Sequence, residues 1–92
     1  MNYSYPLNES WTTDEIIDVV NFLSLIEKAN EQSVKHDDLI FAYQCFKQIV
    51  PSKSEEKQID KHFQQSTGYS IYRTMKQARE SSLLGLGVFK MD

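Results

Sequence analysis

Apolar residues recur at helical spacing in the first third of the chain, and a capping motif precedes them. The apolar positions that share one face of a helix with 3.6 residues per turn are Ile16, Val19, Val20, Leu23 and Ile26, widened by Phe22 and Ala29. Just before them, the hydroxyl of Thr12 can accept a first-turn N–H while the carboxylate of Glu15 reaches back, as in a capping box. The pattern therefore predicts a first helix over residues 13–30.

Three further helices are predicted by the same periodicity and by the residues that interrupt it. The second helix covers residues 36–50 and stops before Pro51, because a proline cannot continue a helix. The third covers residues 54–66 and ends at Gly68, and the fourth covers residues 71–81. No segment alternates between apolar and polar residues as a half-buried strand does, so the predicted fold class is all-α, a compact array of four helices.

The two ends of the chain lie outside this helical pattern. The N-terminal segment is extended and aromatic, with Tyr3, Tyr5 and Trp11, and we expect it to cover part of the helical surface. The tail, residues 82–92, is apolar and contains two glycines, so it is either a docked arm or a flexible end. Residues 1–92 are expected to form a single helical domain, because 92 residues with 40% apolar side chains supply only one core.

Charge is distributed unevenly along the chain. The whole sequence has a net charge of -3 and an isoelectric point near 5.3, which excludes the uniformly basic surface of a non-specific nucleic-acid binder. Residues 1–50 carry eight acidic and three basic side chains, a net of -5, whereas residues 51–92 carry five acidic and seven basic, a net of +2. Any anionic partner is therefore expected at the second half.

The sequence also limits the compartment of the protein and the ligands available to it. No apolar run reaches the roughly 20 residues of a membrane-spanning helix, and the N-terminus lacks the basic and hydrophobic stretches of a secretory signal. A cytoplasmic location without membrane contact is expected. Cys45 is the single cysteine and two histidines accompany it, so we expect no disulfide, no bound metal and no cofactor.

Motifs of known enzymatic chemistry are missing from the sequence. It has no glycine-rich phosphate loop, no HExxH, no paired cysteines and no nucleophile elbow, so we expect neither catalysis nor a small-molecule substrate. His36 is interpreted as a solvated residue at a helix start. His62, beside Ile59 and Phe63, is interpreted as a half-buried, hydrogen-bonded imidazole rather than a metal ligand or a general base. Cys45 is interpreted as a small packed side chain.

Glu27 lies on the apolar face of the first helix, one turn after Leu23. A carboxylate that is buried there requires a partner, because its charged form loses the solvation of water. Two interpretations remain open. Either Glu27 lies close enough to the helix end to reach water, or it pairs with a lysine, arginine or tyrosine from another helix.

An excess of apolar side chains indicates a binding surface. Four of them point away from the core-facing sides of their own helices, each of which already supplies enough apolar residues for one buried face. These four are Ile17, Leu25, Ile40 and Phe41. The protein is therefore predicted to be an interaction module that binds a protein partner or itself, as a homo-oligomer. The alternative is that the N-terminal segment and the tail cover these side chains within one monomer.

A second interpretation comes from residues 59–80, in which a helix, a turn at Gly68 and another helix follow one another as in a helix-turn-helix. The residues placed to contact nucleic acid are Tyr69, Ser70, Tyr72, Arg73 and Lys76. Gln64 stands where a small residue usually lets the helices approach, and Thr74 stands where a β-branched apolar residue usually packs. The acidity of the chain also weakens attraction to phosphate, so nucleic-acid binding is the alternative function and not the first.

Three segments of the sequence resemble one family of small bacterial proteins. They are YSYPLNESWTTDEIIDVVNF, FAYQCFKQIVPSKSEEKQ and TGYSIYRTMKQA, and they span about residues 3 to 80. The most specific block is VPSKSEEKQ followed by GYSIYR. On these segments the chain is similar to uncharacterised protein family (UPF) 0223. The resemblance implies a compact all-helical fold in the cytoplasm of Gram-positive bacteria, and it implies no catalytic or binding residue. The tail after Ser81 falls outside it.

Overall fold

Four helices and two very short strands make up the regular structure of the described residues. The computed structural model describes residues 5, 7–85 and 87–91, so Tyr3 of the N-terminal segment and Leu86 of the tail lie outside them. The elements are α1 (Thr13–Glu31), β1 (Val34–Lys35), α2 (His36–Ile49), α3 (Lys53–Thr67), α4 (Ile71–Ser82) and β2 (Val88–Phe89). The prediction of an all-α fold is confirmed, because each helix begins and ends within one residue of its predicted limits.

The helix ends are set by the side chains that the sequence places there. The hydroxyl of Thr12 accepts the Glu15 N–H at 3.2 Å, and the Glu15 carboxylate accepts the Thr12 N–H at 2.8 Å, which completes the predicted capping box. Ser52 and Ser70 accept first-turn N–H groups in the same way at the starts of α3 and α4. Gly68 ends α3 with a φ of 82°, a left-handed conformation that glycine adopts without strain.

The core receives apolar side chains from all four helices. Its largest fully buried members include Val19, Phe22, Leu23, Ile26, Leu39, Phe46, Phe63 and Ile71. The rings of Phe22 on α1 and Phe46 on α2 stack with their centroids 4.8 Å apart. Since these two helices are joined by only four residues, they form an antiparallel hairpin that the remaining elements pack against.

The tail is docked on this hairpin by a strand pair that the sequence pattern does not predict. Val34 in β1 lies opposite Phe89 in β2 in antiparallel register. Beyond β2, the Met91 N–H donates to the carbonyl of Ala29 at 2.8 Å, one of the last carbonyls of α1, which have no partner within the helix. Of the two sequence-based alternatives for the tail, its described residues therefore follow the docked arm.

The docked arm overturns the interpretation of His36 as a solvated residue. Its side chain is only 5% exposed, because the ring of Phe89 packs 5.7 Å from the imidazole. Neither ring nitrogen has a hydrogen-bond partner among the described residues. The interpretation of His62 as half-buried is also wrong. His62 is exposed because Ile59 and Phe63 turn into the core and leave it on the flank of α3.

Candidate interaction surfaces

The four apolar residues predicted to bind a partner divide into two pairs. Phe41 is 67% exposed and Ile17 is 58% exposed, so each presents most of its side chain to solvent. Leu25 and Ile40 are half-buried and pack against the core. Ile17 and Phe41 each lie in the second turn of their own helix. Because α1 and α2 are antiparallel, the two side chains lie toward opposite ends of the hairpin and form two separate small apolar patches.

The arm extends the apolar surface beside Leu25. A shallow hollow there is lined by Leu25, Val34 and Val88, and its charged lining residues are Lys28, Lys35 and Asp38. Val88 belongs to β2 and is itself exposed. The tail therefore covers part of this side of α1 and adds a new exposed residue to it. Sequence periodicity could not find this juxtaposition, because Val34 and Val88 are distant in the chain and each strand is two residues long.

A groove separates the N-terminal loop from α3. Trp11, Leu7 and Ile59 supply its apolar surface, and Glu9 and Glu55 supply carboxylates. The remaining described residues that line it are Asn8, Gln58 and His62. The four residues of α3 in this set recur at positions i, i+3, i+4 and i+7, which places them on a single helix face. Helical periodicity does not group these residues, since the loop brings a separate segment against α3.

The residues predicted to contact nucleic acid are only partly available. Tyr72, Arg73 and Lys76 are exposed on α4. Tyr69 is half-buried, and its hydroxyl donates to a carboxylate oxygen of Glu31 at 2.9 Å. Ser70 is half-buried, and its hydroxyl donates to Asp60 and accepts the Arg73 N–H. The structure therefore presents three of the five side chains to solvent on one helix, uses Ser70 at the start of that helix and ties Tyr69 to α1.

Asp60 on α3 occupies the N-terminus of α4. Its carboxylate accepts the backbone N–H groups of Ile71 at 2.7 Å and Tyr72 at 3.2 Å, and the hydroxyl of Ser70 at 3.3 Å. In a helix-turn-helix the corresponding helix start faces the nucleic acid, where its N–H groups attract phosphate. Here a carboxylate already satisfies those groups and adds a negative charge.

Thr74 replaces the apolar contact of a helix-turn-helix with a polar one. It is fully buried, its hydroxyl donates to the carbonyl of Ser70 at 2.7 Å, and it accepts the side-chain amide of Asn30 at 3.1 Å. This pair links α4 to α1. In the sequence, Thr74 departs from the helix-turn-helix motif, and in the structure it forms a polar link between α4 and α1 in place of an apolar contact.

A cluster of polar side chains joins α2, α3 and α4. Lys47 forms a 2.6 Å salt bridge with Glu56, which also accepts the hydroxyl of Tyr43 at 3.2 Å. The guanidinium of Arg79 lies 5.2 Å from the centre of the Tyr43 ring. Burial and the Glu56 carboxylate raise the pKa of Tyr43. These partners satisfy one another, so the cluster connects helices and presents no free acid or base.

Glu27 finds a tyrosine partner, but not on another helix. Burial raises the pKa of the Glu27 carboxyl, a hydrogen bond with Tyr5 lowers it, and the neighbouring Glu31 raises it. One carboxylate oxygen is buried and has no hydrogen-bond partner among the described residues. The ring of Tyr5 also lies 6.0 Å from the ring of Phe63, so Tyr5 bridges α1 and α3.

Two further properties concern metals and membranes. Across the described ranges, no group of three or more histidine, cysteine or acidic residues is arranged to hold a metal ion. None of the helices in those ranges combines the length and the apolar character that crossing a bilayer demands. Cys45 is half-buried on α2, and its thiol is not in a disulfide.

Sequence comparison now adds the family to this helical fold. The profile of the uncharacterised protein family UPF0223 matches residues 2–84. A UPF0223 protein of Oceanobacillus iheyensis is 56% identical over 82 residues, which are 89% of this chain and 93% of the relative. One of Streptococcus thermophilus is 49% identical over 88 residues, covering 94% and 95% of the two chains. The chain belongs to UPF0223, as the three sequence segments predicted. The arm at β2 lies beyond the residues that the family profile matches.

Proposed function

We propose that this protein is a non-catalytic protein–protein interaction module that binds a protein partner or a second copy through Ile17 and Phe41. The observation that carries the proposal is the exposure of these two side chains. The core-facing sides of α1 and α2 bury Phe22, Leu23, Leu39 and Phe46 completely without them. Solvated apolar side chains of this size contribute binding free energy when a partner covers them, about 1.5 to 3 kcal/mol each for complete burial.

The other two predicted residues leave further apolar surface exposed on the same two helices. Leu25 and Ile40 are half-buried, so each leaves part of its apolar side chain at the edge of the hairpin. Binding that depends on apolar burial should respond little to moderate salt. The unpaired thiol of Cys45 is compatible with the reducing cytoplasm, and we place the module there as part of the same proposal.

Sedimentation velocity over a wide range of protein concentration tests self-association. If the module self-associates, the variant Ile17→Ser with Phe41→Ser should lose this association. The matched control is Leu83→Ser with Leu84→Ser, which removes two exposed apolar side chains from the turn after α4. Equal loss in both variants would contradict the assignment to Ile17 and Phe41.

A hetero-partner is tested by affinity purification from the native host, followed by binding of the purified partner to the same variants. Binding should be lost with Ile17→Ser and Phe41→Ser and kept in the Leu83 and Leu84 control. A strict monomer that also fails to bind a dye for exposed apolar surface would count against both forms of the proposal.

The alternative function is nucleic-acid binding through α4, favoured by the exposure of Tyr72, Arg73 and Lys76 on one helix. Electrophoretic mobility of a mixed DNA or RNA probe at low salt tests it. We expect no shift, because the Asp60 carboxylate sits at the helix start where phosphate would bind. A shift that weakens steeply with salt and disappears in Arg73→Ala with Lys76→Ala would establish the alternative instead.

A further inference from the structure

We infer that the groove between the N-terminal loop and α3 binds a basic segment of a partner protein, through a lysine or arginine side chain next to an apolar residue. The groove has a volume of about 440 Å³ and is open to solvent along one side. Neither Ile17 nor Phe41 lines it, so it is a second surface that does not depend on the proposed function of those residues.

The apolar part of the groove suits the stem of a long side chain. Trp11 is 9% exposed and lines the groove together with Ile59, which is almost fully buried, and Leu7, which is 44% exposed. Methylene groups of lysine or arginine pack on surfaces of this kind while their charged ends stay in water.

The charged part of the groove favours a cation. Glu9 and Glu55 line it, and no lysine or arginine is among its described lining residues. The salt bridge within the described ranges joins Lys47 to Glu56, so neither Glu9 nor Glu55 is in an ion pair there. Residues 1–27, which include the loop wall, contain five acidic side chains and no lysine, arginine or histidine, and the lysines of α3 are not among the described residues that line the groove.

These two properties together select the ligand. A free metal ion would bind the carboxylates and leave the apolar surface exposed to water. The described residues also contain no group of three or more metal-ligating side chains arranged to hold one. A purely apolar segment would remove water from the carboxylates of Glu9 and Glu55 and supply no cation in its place. A cation on an aliphatic stem satisfies both, and arginine adds paired N–H donors that match a carboxylate.

The loop that forms one wall is fixed before a partner arrives. The side-chain oxygen of Asn8 accepts the backbone N–H and the hydroxyl of Ser10, each at 2.9 Å. The Trp11 N–H donates to the Asn8 carbonyl at 3.1 Å, and the Asn8 amide points to Glu55 at 3.5 Å. A wall that is already ordered loses little conformational entropy when a ligand binds.

The probe for the test is a synthetic peptide with capped ends, in which arginine and leucine are separated by serine. Trp11 is the single tryptophan of the chain and lines the groove, so tryptophan emission comes from this position alone. We expect a saturable change of emission with this peptide. The same peptide with citrulline in place of arginine keeps the shape without the charge and should bind about fivefold more weakly. Raising the salt to about 1 M should reduce the difference between the two peptides.

The variant Glu9→Gln with Glu55→Gln should bind the arginine peptide about tenfold more weakly and keep the circular dichroism of the original protein. The control Asp37→Asn with Glu80→Gln removes the same charge from two exposed carboxylates elsewhere and should bind normally. Ile17→Ser with Phe41→Ser should also bind normally, which separates this result from the proposed function.

Three results would overturn the inference. One is equal binding of the arginine and citrulline peptides, and another is equal loss in the groove variant and its charge-matched control. The third is the absence of any saturable change in Trp11 emission. If the unliganded protein self-associates and Glu9→Gln with Glu55→Gln separates the copies, the occupant is a second copy and the assignment to a foreign basic segment is wrong.

Discussion

The carboxylate of Asp60, near the middle of α3, accepts the backbone N–H of Ile71 at 2.7 Å and so fixes the start of α4. The same carboxylate accepts the Tyr72 N–H, and it therefore pairs two of the four N–H groups that a helix start leaves without partners. We expect Asp60→Ala to lower the free energy of unfolding by about 1 to 2 kcal/mol. Urea unfolding followed by circular dichroism measures the change.

Asp18→Ala provides the control for this prediction, because Asp18 is an exposed carboxylate within α1. Its removal should change the free energy of unfolding by no more than about 0.5 kcal/mol. Similar losses in the two variants would show that the bonds from Asp60 to α4 contribute nothing specific.

Two phenylalanines on α2 should respond very differently to truncation. Phe46 is fully buried and stacks on Phe22, whereas Phe41 is largely exposed. We expect Phe46→Ala to cost about 3 to 5 kcal/mol of stability and Phe41→Ala less than about 1 kcal/mol. Thermal and urea unfolding of both variants check this. A large loss in Phe41→Ala would mean that this ring supports the fold and is not free for a partner.

Replacing His36 with leucine should stabilise the protein. The imidazole is buried against Phe89, and neither nitrogen has a hydrogen-bond partner among the described residues. An unpaired buried polar group costs about 1 to 3 kcal/mol, so we expect His36→Leu to raise the free energy of unfolding by about 1 kcal/mol. The exposed His62, replaced in the same way, should show almost no effect. A loss of stability in His36→Leu would reveal a polar partner for the ring.

Glu27 predicts a pH dependence of stability. Because burial raises the pKa of its carboxyl in the folded state, the folded protein binds more protons than the unfolded chain across the interval between the two pKa values. Stability should therefore fall as pH rises through that interval. Glu27→Gln cannot ionise, so this variant should be more stable than the original protein at pH 7 and should converge with it near about pH 4.

Urea unfolding at several pH values measures this difference. The control Glu80→Gln, at an exposed carboxylate on α4, should follow the original protein at each pH. If the difference between Glu27→Gln and the original protein grew toward acid, the carboxylate would be stabilised by folding, opposite to the direction that its burial implies.

The helices could be predicted closely from sequence, because their signals are local. The Thr12 and Glu15 pair and the left-handed Gly68 depend on contacts within a few residues, so the sequence contains both partners side by side. The same holds for the serine caps of α3 and α4. Apolar spacing then identified the buried face of each helix, and the family resemblance pointed to the same fold.

The histidines and the surface features could not be predicted in this way, since they depend on segments that are distant along the chain. His36 becomes buried only because Phe89 docks beside it. His62 stays exposed because Ile59 and Phe63 already occupy the inward positions. The groove requires the loop at Trp11 to meet α3, and no local pattern encodes that meeting. Glu27 shows the same limit, because its partner Tyr5 precedes the helix.

The short strand pair of β1 and β2 can separate while the four helices stay folded. Only two residues of β2 are paired, and the backbone bonds from His36 to Gly87 and from Met91 to Ala29 lie at its margins. Short, solvent-accessible pairings of this kind separate at lower free energy than a helical core unfolds. We expect these amide protons to exchange with deuterium well before those in the middle of α1. We therefore expect β2 to detach locally from the junction of α1 and α2 without unfolding of the helical core.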